Sequence, residues 1–430
     1  MRTSRVFSVG EPKKFKEQLL SWSRQFQEIA WLDSNEYDSK TGEYEAILAV
    51  EAFTAIKTDH VTAFDKLKEY QETTADWIFG YLSYDLKNDV ENLRSSNFDG
   101  LHFPDLYFFQ PQKLIFIKED QIEFHYLRMV DDEIEGDFEA IQNFKSEDHS
   151  DHTPVKVESR ISKEEYLEKI ALMLNYIHRG DIYEANFCQE YYAENVNIDS
   201  FDIYRSLNEI SSPPFAAYLK LENFNLISAS PERYLKKKDD KLLTQPIKGT
   251  ARRSSNLEED RKIAAELAKD PKEQSETVMI VDLVRNDLSR IAKKGSVQVD
   301  ELCKVYTFKQ VHQLISSVTA EIAEDIPPVE ALRTSFPMGS MTGAPKISAM
   351  KIIEELEESK RGLYSGAVGY FTPGGDFDYN VVIRSILYNS ENKYLSFSVG
   401  GAITAKSDPE KEYEECLLKA KAMREVLTNL

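Results

Sequence analysis

The stretch Leu242-Leu243-Thr244-Gln245-Pro246-Ile247-Lys248-Gly249-Thr250 decides how the fold of this chain is read. Its apolar start reads as a strand over 242–247, and Lys248-Gly249 reads as a tight turn at the strand's end. Upstream, 216–221 and 225–229 also read as strands, and Ser230-Pro231-Glu232 separates them from 242–247. Downstream, 257–292 reads as helices. Then 366–371, 380–387 and 394–399 read as a meander, with turns at Pro373-Gly374-Gly375 and 389–392. Runs of strands with helices between them, without regular βαβ alternation, indicate an α+β fold rather than a doubly wound sheet.

Farther out, Ser162 and Glu165 form a capping box. Tyr166, Ile170, Met173, Leu174 and Ile177 follow at helical spacing, and Gly180 closes that helix. A last helix starts at Asp408, with Pro409 in its first turn. The charged stretch 144–159 lacks apolar periodicity and reads as a boundary between two regions.

The 430 residues are 41% hydrophobic, enough for one large core or two smaller ones. A net charge of −21 argues against a nucleic-acid partner. That field is screened within about 8 Å at physiological salt, so an anionic substrate would depend on local cations. No apolar run approaches the ~18 residues of a membrane helix. Residues 1–16 lack the apolar centre of a signal peptide. The expectation is a cytoplasmic protein with no membrane association. Cys188, Cys303 and Cys416 are isolated, which indicates neither disulfides nor zinc. His149 and His152 form an H-x-x-H inside the polar boundary and are not read as a metal site.

Two acidic stretches accompany Lys248. Glu412, Glu415 and Lys419 share one face of the last helix. They form either ordinary helix pairs or an oxygen-ligand face for Mg²⁺, which takes few carboxylates and keeps waters. Glu276 begins the run ETVMIVDLVRND (276–287) and is a further ligand candidate, while Asp282, Arg285 and Asp287 read as an ion-pair network. GSMTGAPK (339–346) fails as a Walker A loop, because its lysine follows Ala-Pro, but leaves an anion-binding turn open.

Seven motifs then stand in one order: PIKGT (246–250), ETVMIVDLVRNDL (276–288), VHQLISSV (311–318), GSMTGAPK (339–346), RGLYSGAVGYF (361–371), NVVIRS (380–385) and SDPEKEYEECLLKAK (407–421). In order and spacing they resemble the chorismate-utilising enzymes, which include anthranilate, aminodeoxychorismate, isochorismate and salicylate synthases. The resemblance covers about 160–428 as a chorismate-binding catalytic domain. Residues 1–150, with FGYLSYD (79–85), resemble more loosely that family's anthranilate synthase component I-like N-terminal region. It implies large, mostly antiparallel β-sheets packed face to face with helices outside.

Most branches of the family carry alanine where Lys248 stands. The lysine resembles component I of aminodeoxychorismate synthase, on the 4-aminobenzoate route to folate. That resemblance implies a transferase that converts chorismate and ammonia to 4-amino-4-deoxychorismate. Its implied catalytic residues are Lys248 as nucleophile, Glu232 as proton donor and His312. Thr250, Tyr364, Arg384, Lys419, Gly401 and Thr342 would bind substrate, and Glu276, Glu412 and Glu415 would hold Mg²⁺. Ammonia would come from a separate glutamine amidotransferase, since the sequence has no Gly-x-Cys-x-Gly elbow. One departure stands at Tyr183-Glu184-Ala185-Asn186: water-adding relatives place a lysine base in this segment and amine-adding ones usually glutamine, but this chain has Glu184. The alternatives are anthranilate synthase component I and a catalytically inactive chorismate-binding sensor. The first is weakened because Trp31-Leu32-Asp33-Ser34 stands where a Leu-Leu-Glu-Ser element is usual.

Overall fold

The computed structural model describes residues 2–37, 43–145, 154–308 and 311–428. His149, His152 and the 146–153 part of the expected boundary lie outside them. Among the described residues, twenty strands join into one continuous hydrogen-bonded sheet. The pairings between these strands are antiparallel.

Strand alternation explains the layering. On Glu28–Asp33, Ile29 and Trp31 pack with helices Pro12–Trp22, Lys163–Arg179 and Pro409–Thr428. Ala30, between them, turns to the other face and meets strand residues such as Ile47, Phe79 and Leu114. A third cluster packs helices Ala63–Thr74, Pro271–Ser289 and Pro328–Ser335 against strands Ile78–Leu82 and Phe377–Val381. The order is helices, sheet face, sheet face, helices: the α+β architecture of sheets packed face to face with helices outside. The regions 1–150 and 160–428 share all three clusters. They also share the sheet, because Ile78–Leu82 pairs with Ala367–Phe371 and Glu28–Asp33 with Phe215–Leu221.

The helices that frame the site form where local signals place them. Ser162 and Glu165 make the capping box of Lys163–Arg179, and Gly180 ends it at φ 85°. Asn256 and Asp270 cap Leu257–Leu267 and Pro271–Ser289, with Pro271 in the first turn of the second helix. Asp408 accepts from the Lys411 amide at 3.1 Å at the start of Pro409–Thr428.

Around Lys248 the structure differs from the sequence reading. The chain does not turn at Gly249; it continues as the strand Ile247–Arg252. Lys248 stands opposite Leu314 and Thr250 opposite Gln313, so Gly249 is the extra residue of a β-bulge. Its φ of 75° suits glycine. A Cβ there would also stand 2.9 Å from Glu273 Oε2 and 3.1 Å from Leu314 Cδ1.

A buried ion pair ties the segments behind the site. Arg361 donates to Glu357 at 2.6 and 2.9 Å, to the Met341 carbonyl at 2.7 Å and to the Asn186 carbonyl at 3.0 Å. Glu357 Oε1 also accepts from the Cys188 amide at 2.9 Å. Removing one partner strands the other charge in a low-dielectric interior. Arg361→Ala is therefore expected to lose about 3–5 kcal/mol in urea unfolding; a loss below about 1 kcal/mol would show that other contacts hold these segments.

Candidate active site

The strands Glu184–Ala193, Ile247–Arg252, Val311–Glu321 and Tyr394–Thr404, with helices Pro271–Ser289 and Pro409–Thr428, enclose a cavity of about 500 Å³. Lys248, Thr250 and Glu232 line it from one side. Glu276, Glu412, Glu415 and Lys419 line it from the helices, and Tyr364, Arg384 and Gly401 complete it. Ten of the twelve residues expected from sequence thus converge on one space. A larger cavity, about 630 Å³, is bordered by Leu32, Asp33, Ser34 and Arg233. Size does not decide between them: the smaller cavity holds the convergent cluster of perturbed acids and cations.

Lys248 Nζ donates to Glu184 Oε1 at 3.2 Å. Burial alone would lower the lysine's pKa, but the Glu184 carboxylate, with Glu276 and Glu232, holds it above its ordinary value. Glu232 is 3% exposed, and burial pushes its carboxyl up to about 7 against the opposing Ser340 hydrogen bond and the Lys248 charge. Ser340 Oγ donates to Glu232 Oε1 at 2.6 Å. At neutral pH the cavity therefore holds a charged lysine beside a carboxyl that burial inclines toward its protonated form.

Burial also pushes Glu276 up to about 7, and its Oε1 is buried without a hydrogen-bond partner. Lys272 Nζ lies 3.8 Å from that oxygen and 3.7 Å from Glu412 Oε1. Burial raises Glu412 as well. In Glu415 the burial effect is outweighed by Lys419, 2.6 Å away, so its pKa is lowered. Lys419 also donates to the Gly400 carbonyl at 2.7 Å. Gly401 leaves the space in front of these groups open: a Cβ there would stand 3.4 Å from Glu412 Oε2 and 3.8 Å from Glu415 Oε1. Among the described residues no three His, Cys, Asp or Glu side chains form a ready-made metal cage. The donor set of carboxylates with one orphaned oxygen still fits a hard divalent cation, which takes one or two carboxylates and completes its shell with water and substrate.

Arg384 adopts φ 52° and makes no side-chain hydrogen bond or ion pair among the described residues. Burial lowers its pKa from the ordinary value, while Tyr364 and Glu415 oppose the shift. An unpaired guanidinium facing a cavity suits a carboxylate, which it can grip with two hydrogen bonds. Tyr364 is buried, with its hydroxyl 3.6 Å from Cys188 Sγ, and its phenol stays neutral because burial drives the pKa far up.

Two expected residues stand elsewhere. Val311 and Gln313 line the cavity, so alternation turns His312 to the opposite face of its strand. There its Nε2 pairs with Asp260 at 3.0 Å and its Nδ1 with Thr307 Oγ1 at 2.9 Å. Thr342 is fully buried, and its hydroxyl donates to the Gly339 and Met338 carbonyls at 3.2 and 3.3 Å. The anion-binding turn considered at 339–346 is not formed by its lysine: Lys346 Nζ pairs with Asp287 at 2.6 Å and donates to the Ser335 carbonyl at 3.2 Å. Asp287 therefore leaves the expected network, and among the described residues Arg285 pairs only with Asp282, at 2.7 Å on the surface. Sequence reasoning missed Ser340 and Lys272. Ser340 lay in a motif tested only for phosphate binding, whereas Lys272 stood four residues before Glu276, a helix-pair spacing open to inspection.

The raised Glu232 pKa has a stability consequence with a definite sign. The folded protein keeps this proton up to about pH 7, while the unfolded chain releases it near the ordinary value. Stability is therefore full at low pH and declines as pH rises through that window, by up to roughly 3 kcal/mol for this group. Glu232→Gln removes this titration. Its unfolding free energy, measured between about pH 5 and about pH 8, is expected to fall less than that of the wild type.

Residues 19–425 match the chorismate binding enzyme family. The chain is 35% identical over 379 residues to the chloroplastic aminodeoxychorismate synthase of Arabidopsis thaliana, covering 83% of this chain and 41% of that protein. It is 35% identical over 354 residues to anthranilate synthase component 1 of Thermus thermophilus, covering 80% of this chain and 76% of that protein. The crystal structure of anthranilate synthase component I from Streptococcus pneumoniae superposes with a TM-score of 0.79 at 26% identity, covering 90% of this chain and 93% of that one. The chain thus spans well under half the length of the plant relative. With the family match running through nearly every element that builds the cavity, the chain belongs to the chorismate binding enzymes.

Proposed function

We propose that this chain aminates chorismate at ring C4, giving 4-amino-4-deoxychorismate, as the synthase component of an aminodeoxychorismate synthase. The observation that carries this reading is Lys248, a lysine opening into the same cavity as Glu232, a carboxyl whose pKa burial raises. Chorismate presents two carboxylates and a C4 hydroxyl. Displacing that hydroxyl with retention is difficult in one step, and a covalent intermediate divides it into two.

In this reading the neutral Lys248 amine forms a bond to ring C2. The ring double bond shifts, the C4–O bond breaks, and Glu232 gives its proton to the departing oxygen, which leaves as water. Ammonia then bonds to C4, the double bond shifts back, and Lys248 is expelled. Arg384, with Tyr364 beside it, takes the enolpyruvyl carboxylate. Thr250, Lys419 and the open face at Gly401 receive the ring carboxylate. Glu276, Glu412 and Glu415 would hold Mg²⁺, which would neutralise that carboxylate when bound. His312 is assigned to holding its strand against helix Leu257–Leu267 through Asp260, and Thr342 to shaping the loop that carries Ser340. Every cavity-lining residue lies between 186 and 425, which supports assigning catalysis to 160–428 and a scaffold role to 1–150. Ammonia would be delivered by a separate glutamine amidotransferase. Among the described residues no helix is long and apolar enough to cross a membrane.

The test is incubation of the purified chain with chorismate, Mg²⁺ and an ammonium salt at alkaline pH. The expected product is one that an added lyase converts to 4-aminobenzoate. Lys248→Ala is expected to lose about 100-fold or more in turnover, equivalent to about 2.7 kcal/mol of barrier. Arg384→Met is expected to raise KM for chorismate by roughly 10- to 100-fold, because a charge-assisted pair is lost. The second reading, anthranilate synthesis, is favoured by the similarity to anthranilate synthase components. Anthranilate as the product would establish it and overturn the first.

A further inference from the structure

Glu184 is 1% exposed and opens the strand Glu184–Ala193. Its backbone is fixed on both sides, opposite Ala344 on one neighbour and Thr404 on the other. Among the described residues its only side-chain hydrogen bond is the one it accepts from Lys248 Nζ, and that is also the only hydrogen bond of the Lys248 ammonium. The two groups form an isolated buried pair that opens on the cavity through the lysine alone. A nucleophilic lysine must lose a proton: at its ordinary pKa only about one in 2,500 is neutral at pH 7.

Other carboxylates act on Lys248 without hydrogen-bonding it: Glu232 in the link between strands Phe224–Ser230 and Arg233–Lys238, Glu273 and Glu276 on helix Pro271–Ser289, and Glu415 on the last helix. Glu232 already accepts from Ser340 and has to donate, not accept, in the same step. Only Glu184 stands in line with the lysine's proton.

We propose that Glu184 is the base that accepts the proton of Lys248, a catalytic residue paired with the nucleophile inside the sheet. The inference rests on Lys248 being that nucleophile. The transfer converts ammonium and carboxylate into amine and carboxylic acid, with no net change of charge. A bound substrate that expels water weakens the charged form of such a pair relative to the neutral one. The amine's lone pair then makes the bond to C2, and Glu232 supplies the proton carried off with the C4 oxygen as water. When ammonia has added, Lys248 leaves as a neutral amine and takes its proton back from Glu184. The ammonium formed at C4 returns a proton to Glu232, so both acids end as they began. Net, one hydroxyl and one ammonia become one amine and one water.

Glu184→Gln keeps the shape and a hydrogen-bond acceptor but cannot hold the proton. With ammonium salt and chorismate, its kcat at neutral pH is expected to fall about 100-fold or more, with KM for chorismate within about twofold of wild type. The deficit should shrink about tenfold per pH unit as alkalinity deprotonates the lysine directly. Glu184→Asp, which keeps a carboxylate, should recover part of the loss. Chorismate binding by calorimetry confirms that each variant is folded. A Glu184→Gln enzyme with wild-type kcat and pH profile overturns the proposal. So does a loss that is independent of pH and shared by Glu184→Asp, since that marks a packing role. Failure of the nucleophile reading itself is separable: Lys248→Ala would keep its turnover, and no covalent adduct would appear by mass on Lys248 when ammonia is withheld.

Discussion

The pair between Glu357 and Arg361 is the interaction on which the site's geometry depends. Through it one guanidinium holds the Met341 carbonyl of the loop that carries Ser340 and the Asn186 carbonyl of the strand that carries Glu184. The paired carboxylate holds the Cys188 amide of that same strand. These contacts lie behind the cavity, where no water competes, so each hydrogen bond is strong and each missing partner costly. Glu232, through Ser340, and Glu184, through its strand, are thus positioned by one buried charge pair that does not line the cavity.

The cavity solves an electrostatic problem. Burial drives Glu232, Glu276 and Glu412 toward their neutral forms, while Lys419 keeps Glu415 charged. Nearby carboxylates thus acquire different protonation states from their surroundings alone. The cations are divided in the same way. Lys248, Lys272 and Lys419 each have a carboxylate within ion-pair range, whereas Arg384 has none so close among the described residues, which leaves its guanidinium open to an incoming anion.

Local signals carried much of this into the sequence. The capping box at Ser162, the Pro-initiated last helix and the strands near 216–229 were legible because neighbours along the chain decide them. The acidic face of the last helix followed from spacing alone. What stayed hidden depends on partners far away in sequence. The bulge at Gly249 exists only in register with Val311–Glu321, and so does the outward face of His312. Asp287 chose Lys346, 59 residues away, over its near neighbour Arg285. Neither the hydroxyl of Ser340 on Glu232 nor the contact of Lys248 with Glu184 has a local signature.

The strand Ile78–Leu82 completes its pairing only with Ala367–Phe371, and Glu28–Asp33 only with Phe215–Leu221. A ribosome delivers the first member of each couple long before the second. Until then, each early strand presents an open, largely apolar edge to the cell, the kind of surface that invites association with other chains. Contacts this distant in sequence also close slowly. The early portion of the nascent polypeptide therefore cannot finish as an independent unit; it must wait, shielded or soluble, for strands made far later along the chain.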